Sequence, residues 1–181
     1  MWPLLMLLAA APPLAPGETE ALARREVVVR VDDGEDGTSL VALVRVAAPP
    51  DRVLSACMEV ERLANVRGVA SIEVYDRSMD RVAARVEIEA LGLSRAYHVV
   101  HRADRARGRV DYALDPGRRN DVTRLEGSYE VFPDEGGTLL VNRGSGDVRG
   151  WVPPRVRRWA ATRAVREKLE LIRQGAEGST P

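Results

Sequence analysis

From Glu26 onward the chain alternates apolar and polar positions with a period of two, and helical spacing breaks that alternation in two places. Val27, Val29 and Val31 alternate with Val28 and Arg30, and Leu40 to Val46 resumes the pattern beyond the acidic stretch Asp32 to Gly37 (DDGEDG). Two such runs around a Gly/Asp turn predict a hairpin. The acidic stretch lacks the spacing and flanking helices of a calcium loop and reads as a solvated turn. Ala47-Ala48-Pro49-Pro50 ends the second strand. Pro50 and Asp51 suit a helix start, where a missing donor is tolerated and an early acid is favourable. Val53, Leu54, Cys57 and Met58 follow at helical spacing, and Glu59 to Asn65 adds a second short helix.

From Val69 the period returns to two. Val82, Ala84, Val86 and Ile88 alternate with Ala83, Arg85, Glu87 and Glu89, the cleanest half-buried strand of the chain. Further strands are predicted at Ser94–Ala103, Arg109–Leu114, Val122–Phe132 and Thr138–Arg143, with turn-rich segments such as DPGRRND (Asp115–Asp121) and PDEGG (Pro133–Gly137) between them. Short turns between successive alternating strands mean an antiparallel meander. Arg155 to Arg173 contains neither Pro nor Gly and predicts a helix of about 28 Å, ended by Gly175. Ala161, Val165, Leu169 and Ile172 form its apolar stripe, and Arg155, Arg163, Arg166, Glu170 and Arg173 its opposite arc. A sheet with one apolar face must bury it against something, and this is the only long helix at hand. The expected class is α+β: a curved antiparallel sheet of about seven strands wrapped around a long C-terminal helix, with two short helices after the first strand region.

The N-terminal segment Met1–Gly17 has no charged side chain, and its apolar run from Leu4 to Ala11 is too short to span a bilayer. It suits an export signal, which implies a secreted or periplasmic protein. The expected organisation is a signal segment over 1–17, a linker over 18–25, one domain over 26–174 and a disordered tail over 175–181. Lys+Arg and Asp+Glu both number 27, so bulk charge offers nothing to a nucleic acid. With one Phe, four Tyr and three Trp, the core must be largely aliphatic. Cys57 is the only cysteine, so no intrachain disulfide forms, and beside Met58 it reads as a buried thiol. No metal-ligand spacing and no cofactor motif occurs.

Candidate catalytic chemistry is sparse. His98 and His101 are three apart on a predicted strand, so they point to opposite faces and cannot share one metal. The Ser94–Ala103 strand has two possible phases, with Tyr97 and Val99 inward or with His98 and Val100 inward; in the second, His98 and Tyr112 are the one polar pair offered to the interior. No nucleophile elbow is present, and Gly144-Ser145-Gly146 lacks a following Lys. No catalytic residue is assigned. The last helix carries seven Lys or Arg and two Glu, and Trp151 and Trp159 bracket its start. That composition suits peripheral contact with an anionic membrane, or arginine stems covering apolar surface while their heads stay in water.

The order of elements resembles the helix-grip fold of the START-like (SRPBCC) superfamily, which includes polyketide cyclases and dehydrases, coenzyme-Q-binding START-domain proteins and lipid-transfer domains. The resemblance rests on VRVAAPPDRVLSACMEVERLANV (Val44–Val66), GSYEVFPDEGGTLLVNRGSGD (Gly127–Asp147) and GWVPP (Gly150–Pro154). It includes an A-P-x-x-x-V step at Ala48, Pro49 and Val53, and a hairpin pattern at Gly127, Tyr129, Val131, Pro133 and Thr138. Leu54 stands where many members carry Trp, and Asn65-Val66-Arg67 lacks their Pro. The resemblance implies a cavity between sheet and last helix. Its expected lining is Ile72, Val74, Ala84, Val86, Ile88, His98, Val100, Tyr112, Val141, Ala161, Val165 and Leu169. Small residues at Ala70, Ala84, Ala96, Ala161 and Ala164 are expected to face inward and to leave room. Three functions stay open: binding or carriage of a small hydrophobic molecule (lipid, isoprenoid or quinone-like), a polyketide cyclase or dehydratase-like enzyme, and a structural domain with a filled core.

Overall fold

The computed structural model describes residues 11–34, 37–90, 92–148 and 153–178. The Leu4–Ala11 run of the expected signal lies almost wholly outside them, as do Trp151, residues 35–36 of the acidic turn and residues 179–181 of the expected tail. The alternating runs form eight strands: β1 (Val28–Gly34), β2 (Gly37–Val46), β3 (Val69–Arg77), β4 (Arg81–Ala90), β5 (Leu93–Asp104), β6 (Arg109–Leu114), β7 (Val122–Asp134) and β8 (Gly137–Val148). They make one sheet in the order β1-β2-β8-β7-β6-β5-β4-β3. The sheet therefore has eight strands where about seven are expected, and pairing of β2 with β8 joins the first hairpin to the end of the meander.

Among the described residues three α-helices complete the fold: α1 (Pro16–Ala23), α2 (Pro50–Cys57) and α3 (Pro154–Gly178), with a 3-10 turn at Val60–Asn65 after α2. α3 rests on β1, β2, α2 and the 3-10 turn. Its stripe of Val165, Leu169, Ile172 and Ala176 enters the main core together with Val44, Val53 and Leu140. The helix does not stop at Gly175. Ala176 is 2% exposed in that core, and Glu177 accepts a hydrogen bond from the Ala47 backbone N–H at 2.7 Å and pairs with Arg25. Those tertiary contacts outweigh the roughly 1 kcal/mol cost of a glycine in a helix. Gly175 also makes room for Arg62, whose Nε would lie 3.0 Å from a Cβ there.

The expected linker is mostly a helix with a packing role. Leu22 of α1 is fully buried on the outer face of the sheet, with Leu43, Leu139 and Val141 around it. Arg30 Nε donates to Glu18 Oε1 at 2.7 Å and ties α1 to β1. α1 therefore covers an outer patch on β2 and β8, opposite the inner face under α3.

Candidate functional site

Cross-strand register decides which side chains meet under α3. Residues directly opposite in an antiparallel pair share a face. Val82, Ala84 and Val86 of β4 face the core, and their partners on β5 are His101, Val99 and Tyr97. His101 therefore points inward and is 4% exposed. On β6 the inward residue beside it is Tyr112, which pairs in register with both His101 and Gly127, and Gly127 pairs in turn with Gly144 of β8. The Tyr112 ring lies along this glycine trough. A Cβ at either glycine would lie 2.5 Å from Tyr112 Oη, and at Gly127 it would also collide with the Arg143 carbonyl oxygen. The Tyr112 hydroxyl crosses to β8 and donates to Asn142 Oδ1 at 3.1 Å and to the Arg143 carbonyl at 3.3 Å. Tyr129 of β7, 1% exposed, completes a ring cluster. Its centroid is 5.3 Å from that of Tyr112 and 6.4 Å from that of His101, and His101 and Tyr112 are 5.6 Å apart.

Onto these rings α3 lowers Lys168. Its Nζ lies 4.7 Å from the Tyr112 centroid and 4.9 Å from that of Tyr129. Among the described residues this half-buried ammonium makes cation–π contact, and no carboxylate pairs with it. Burial lowers the Lys168 pKa to about 8, an effect that the nearby Cys57 partly offsets. Burial, and then the Lys168 charge, lower His101 to about 3, so its imidazole is neutral. Burial raises Tyr97 to about 12 and moves Tyr112, Tyr129 and the Cys57 thiol upward as well. Two buried polar atoms beside the cluster lack a hydrogen-bond partner: His101 Nδ1 and Asn142 Nδ2. Lys168 is thus the one member whose proton can leave near neutral pH.

A concave surface of about 610 Å³ lies on the outer side of β2, β8, β7 and β6. Its floor is a lattice of matched charges. Glu130 accepts from Arg109 at 2.8 Å and from Ser128 at 3.3 Å, and Arg143 stands 3.5 Å away. These groups satisfy one another and leave no buried charge seeking a ligand. No group of three or more metal-ligating side chains occurs among the described residues.

No protein-family profile and no curated protein sequence matches the chain. Solved structures do. A STAR-related lipid transfer protein from Xanthomonas axonopodis superposes with a TM-score of 0.68 at 16% identity, over 83% of this chain and 93% of that one. The Zhui aromatase/cyclase from Streptomyces sp. R1128 gives 0.63 at 18% identity, over 82% and 94%. The protein TTHA0849 of Thermus thermophilus gives 0.61 at 23% identity, over 77% and 94%. The chain has the START-like helix-grip fold.

Within this START-like fold the expected lining residues divide. Ala84, Val86, Tyr112, Val165 and Leu169 lie in the main core, and Ile72, Val74 and Ile88 pack against it half-buried. Ala161 is half-buried on α3. Three residues are elsewhere. His98 and Val100 lie on the outer face of β5. There the segment 115–121 covers His98: its backbone N–H donates to Asn120 Oδ1 at 2.6 Å, and its Nδ1 is 3.1 Å from the Arg119 carbonyl oxygen. Val141 belongs to the outer patch under α1. The reason is common to all three. β5 and β8 are apolar on both sides because both faces are covered, so alternation alone cannot choose the phase. Among the expected small inward residues, Ala70 and Ala164 are exposed, and Ala96 is on the outer side of β5, its N–H donating to Asp121 Oδ2 at 2.9 Å.

The interior under α3 also contains His101, Tyr97, Tyr129, Asn142 and Lys168, which are not among the expected lining. Lys168 had a readable signal. It stands seven residues after Ala161, three after Val165 and four before Ile172, on the apolar stripe itself. In the hairpin pattern, Gly127 is the bed of Tyr112 and Tyr129 is the inner ring facing Lys168.

Proposed function

We propose that this chain binds or carries a small hydrophobic molecule, such as a lipid, isoprenoid or quinone-like compound, between the sheet and α3. One observation carries the reading. Ile72, Val74, Ile88, Tyr97 and Leu125 face inward yet stay only partly buried, while α3 rests on the far end of the sheet over β1 and β2. Apolar surface beneath a helix that does not press on it suits an apolar guest. The likeness to a lipid transfer protein and an aromatase/cyclase agrees with such a guest. The test is native mass spectrometry of protein purified from its own host, followed by organic extraction. A stoichiometric apolar molecule is expected. A chain that retains none, and takes up none from added lipid, has a filled core and a structural role.

A second reading, a cyclase or dehydratase-like enzyme, draws on the inward ring of His101 beside Tyr112 and Lys168. An ammonium at that depth can stabilise an enolate, and turnover of an aromatic polyketide would separate this reading from carriage. For delivery, we propose contact with anionic lipid through the first turns of α3. Trp159 is 61% exposed and Val156 38%, with Arg155, Arg158 and Arg166 also exposed. Trp159→Ala is expected to reduce co-flotation with phosphatidylglycerol vesicles several-fold. Equal flotation of the variant and the parent would remove the proposal.

A further inference from the structure

The interior cation has no carboxylate partner among the described residues, and a half-buried ammonium is costly unless something pairs with it. The groups facing Lys168 are His101 on β5, Tyr112 on β6, Tyr129 on β7 and Cys57 on α2, with Tyr97 of β5 beside the two tyrosines. None is a carboxylate. Two more buried polar atoms on the same inner face await a partner. Asn142 Nδ2 is a donor whose Oδ1 already accepts from Tyr112, and Asn142 is 1% exposed. His101 Nδ1 belongs to a ring 4% exposed. Both cationic and amide donors stand against Tyr112, the Lys168 ammonium over its ring and Asn142 at its hydroxyl, so an ammonium with three N–H groups and an amide N–H flank one side chain.

We propose, resting on the reading of an apolar guest between sheet and α3, that the guest is an apolar acid whose carboxylate is received by Lys168 and Asn142. A carboxylate only accepts hydrogen bonds, so it complements these donors. It supplies the negative charge that the protein does not, and the tyrosine faces exclude water around the pair. Its apolar body would lie toward Ile72, Val74, Ile88 and Tyr97. With Lys168 titrating at about pH 8, the grip on the acid weakens as the medium becomes alkaline.

The probes are dodecanoic acid and methyl dodecanoate, titrated into the full chain and into Lys168→Met near neutral pH. A charge-assisted contact predicts that the parent prefers the acid by about 10-fold to 100-fold, and that this preference shrinks above pH 8. Lys168→Met is expected to lose the preference, so that the ratio of its acid to ester affinity falls to about 1. The inference is overturned if the parent binds acid and ester alike, or if Lys168→Met keeps the preference. In those cases the apolar-guest reading stands. If neither probe binds the parent, both fall together.

Discussion

Lys168→Met is expected to make the protein more stable at neutral pH, by about 2 kcal/mol. The folded chain holds the Lys168 pKa at about 8 against an ordinary 10.5. At about 1.4 kcal/mol per pH unit the full penalty is about 3 kcal/mol, and losing the attraction between the ammonium and the tyrosine faces offsets about 1 kcal/mol of the gain. The sign follows from the depressed folded value. Below pH 8 both states carry the proton and the folded state bears the whole cost of a desolvated charge. Between pH 8 and 10.5 the folded state has lost its proton while the unfolded state still holds one, so stability rises with pH. Urea unfolding of the parent and of Lys168→Met at pH 7 and pH 10 checks this. The tyrosines, whose raised pKa values act in the opposite direction near pH 10, are common to both chains and cancel in the comparison. A variant less stable than the parent at neutral pH would refute the account. A lysine that lowers stability where methionine would raise it fits a group retained for its chemistry.

Acid is expected to unfold the protein early, through His101. Its folded pKa of about 3 lies far below the ordinary 6.5. Above 6.5 the imidazole is neutral in both states and nothing is lost. As pH falls below 6.5 the unfolded state gains a proton that the folded state refuses, so stability declines and goes on declining to about pH 3. The drop between pH 6.5 and 4.5 is about 2 kcal/mol, before Glu18 and Asp115, which their partners hold below the usual carboxylate range, add their own losses at lower pH. His101→Phe keeps a ring against Tyr112 and Tyr129 and should flatten the profile over that window. Denaturant midpoints of both chains across it decide the matter, and an unchanged slope in the variant would place the acid sensitivity elsewhere. Lys168→Met should also soften the parent profile, because the Lys168 charge is the second cause of the His101 shift.

The two groups explain how an interior with few aromatic residues can still be specific. The chain has one Phe and four Tyr, and three of those tyrosines meet on the inner face. Their packing depends on Gly127 and Gly144, which stand opposite each other and give the Tyr112 ring its space. The rings then serve as the floor for a cation arriving from a different element. The outer charge lattice of Arg109, Glu130 and Arg143 contrasts with this. Its charges are mutually paired on the solvent side, where such pairs add little stability and recruit no ligand.

Periodicity alone sufficed for the strands from Val69 to Arg143, the short helix opened by Pro50 and the long helix after Pro154, because local alternation and capping chemistry act within a few residues. The order of those elements carried the resemblance to the helix-grip fold. The phase of β5 and β8 was different. Their residues are apolar on both sides, and only pairing with β4 and β2 shows that His101 turns inward while His98, Val100 and Val141 turn out. The role of residues 16–23 was likewise invisible, since a helix with one buried leucine looks like a linker until the outer patch of β2 and β8 is seen beneath it. Lys168 stands on the apolar stripe in the sequence, but its partners come from β6 and β7, about 40 to 55 residues away along the chain. Local patterns report which way a side chain faces relative to its own element. What waits on the other side is set by long-range register and docking, and these bring a cation, three tyrosines and two unpartnered polar atoms into one place.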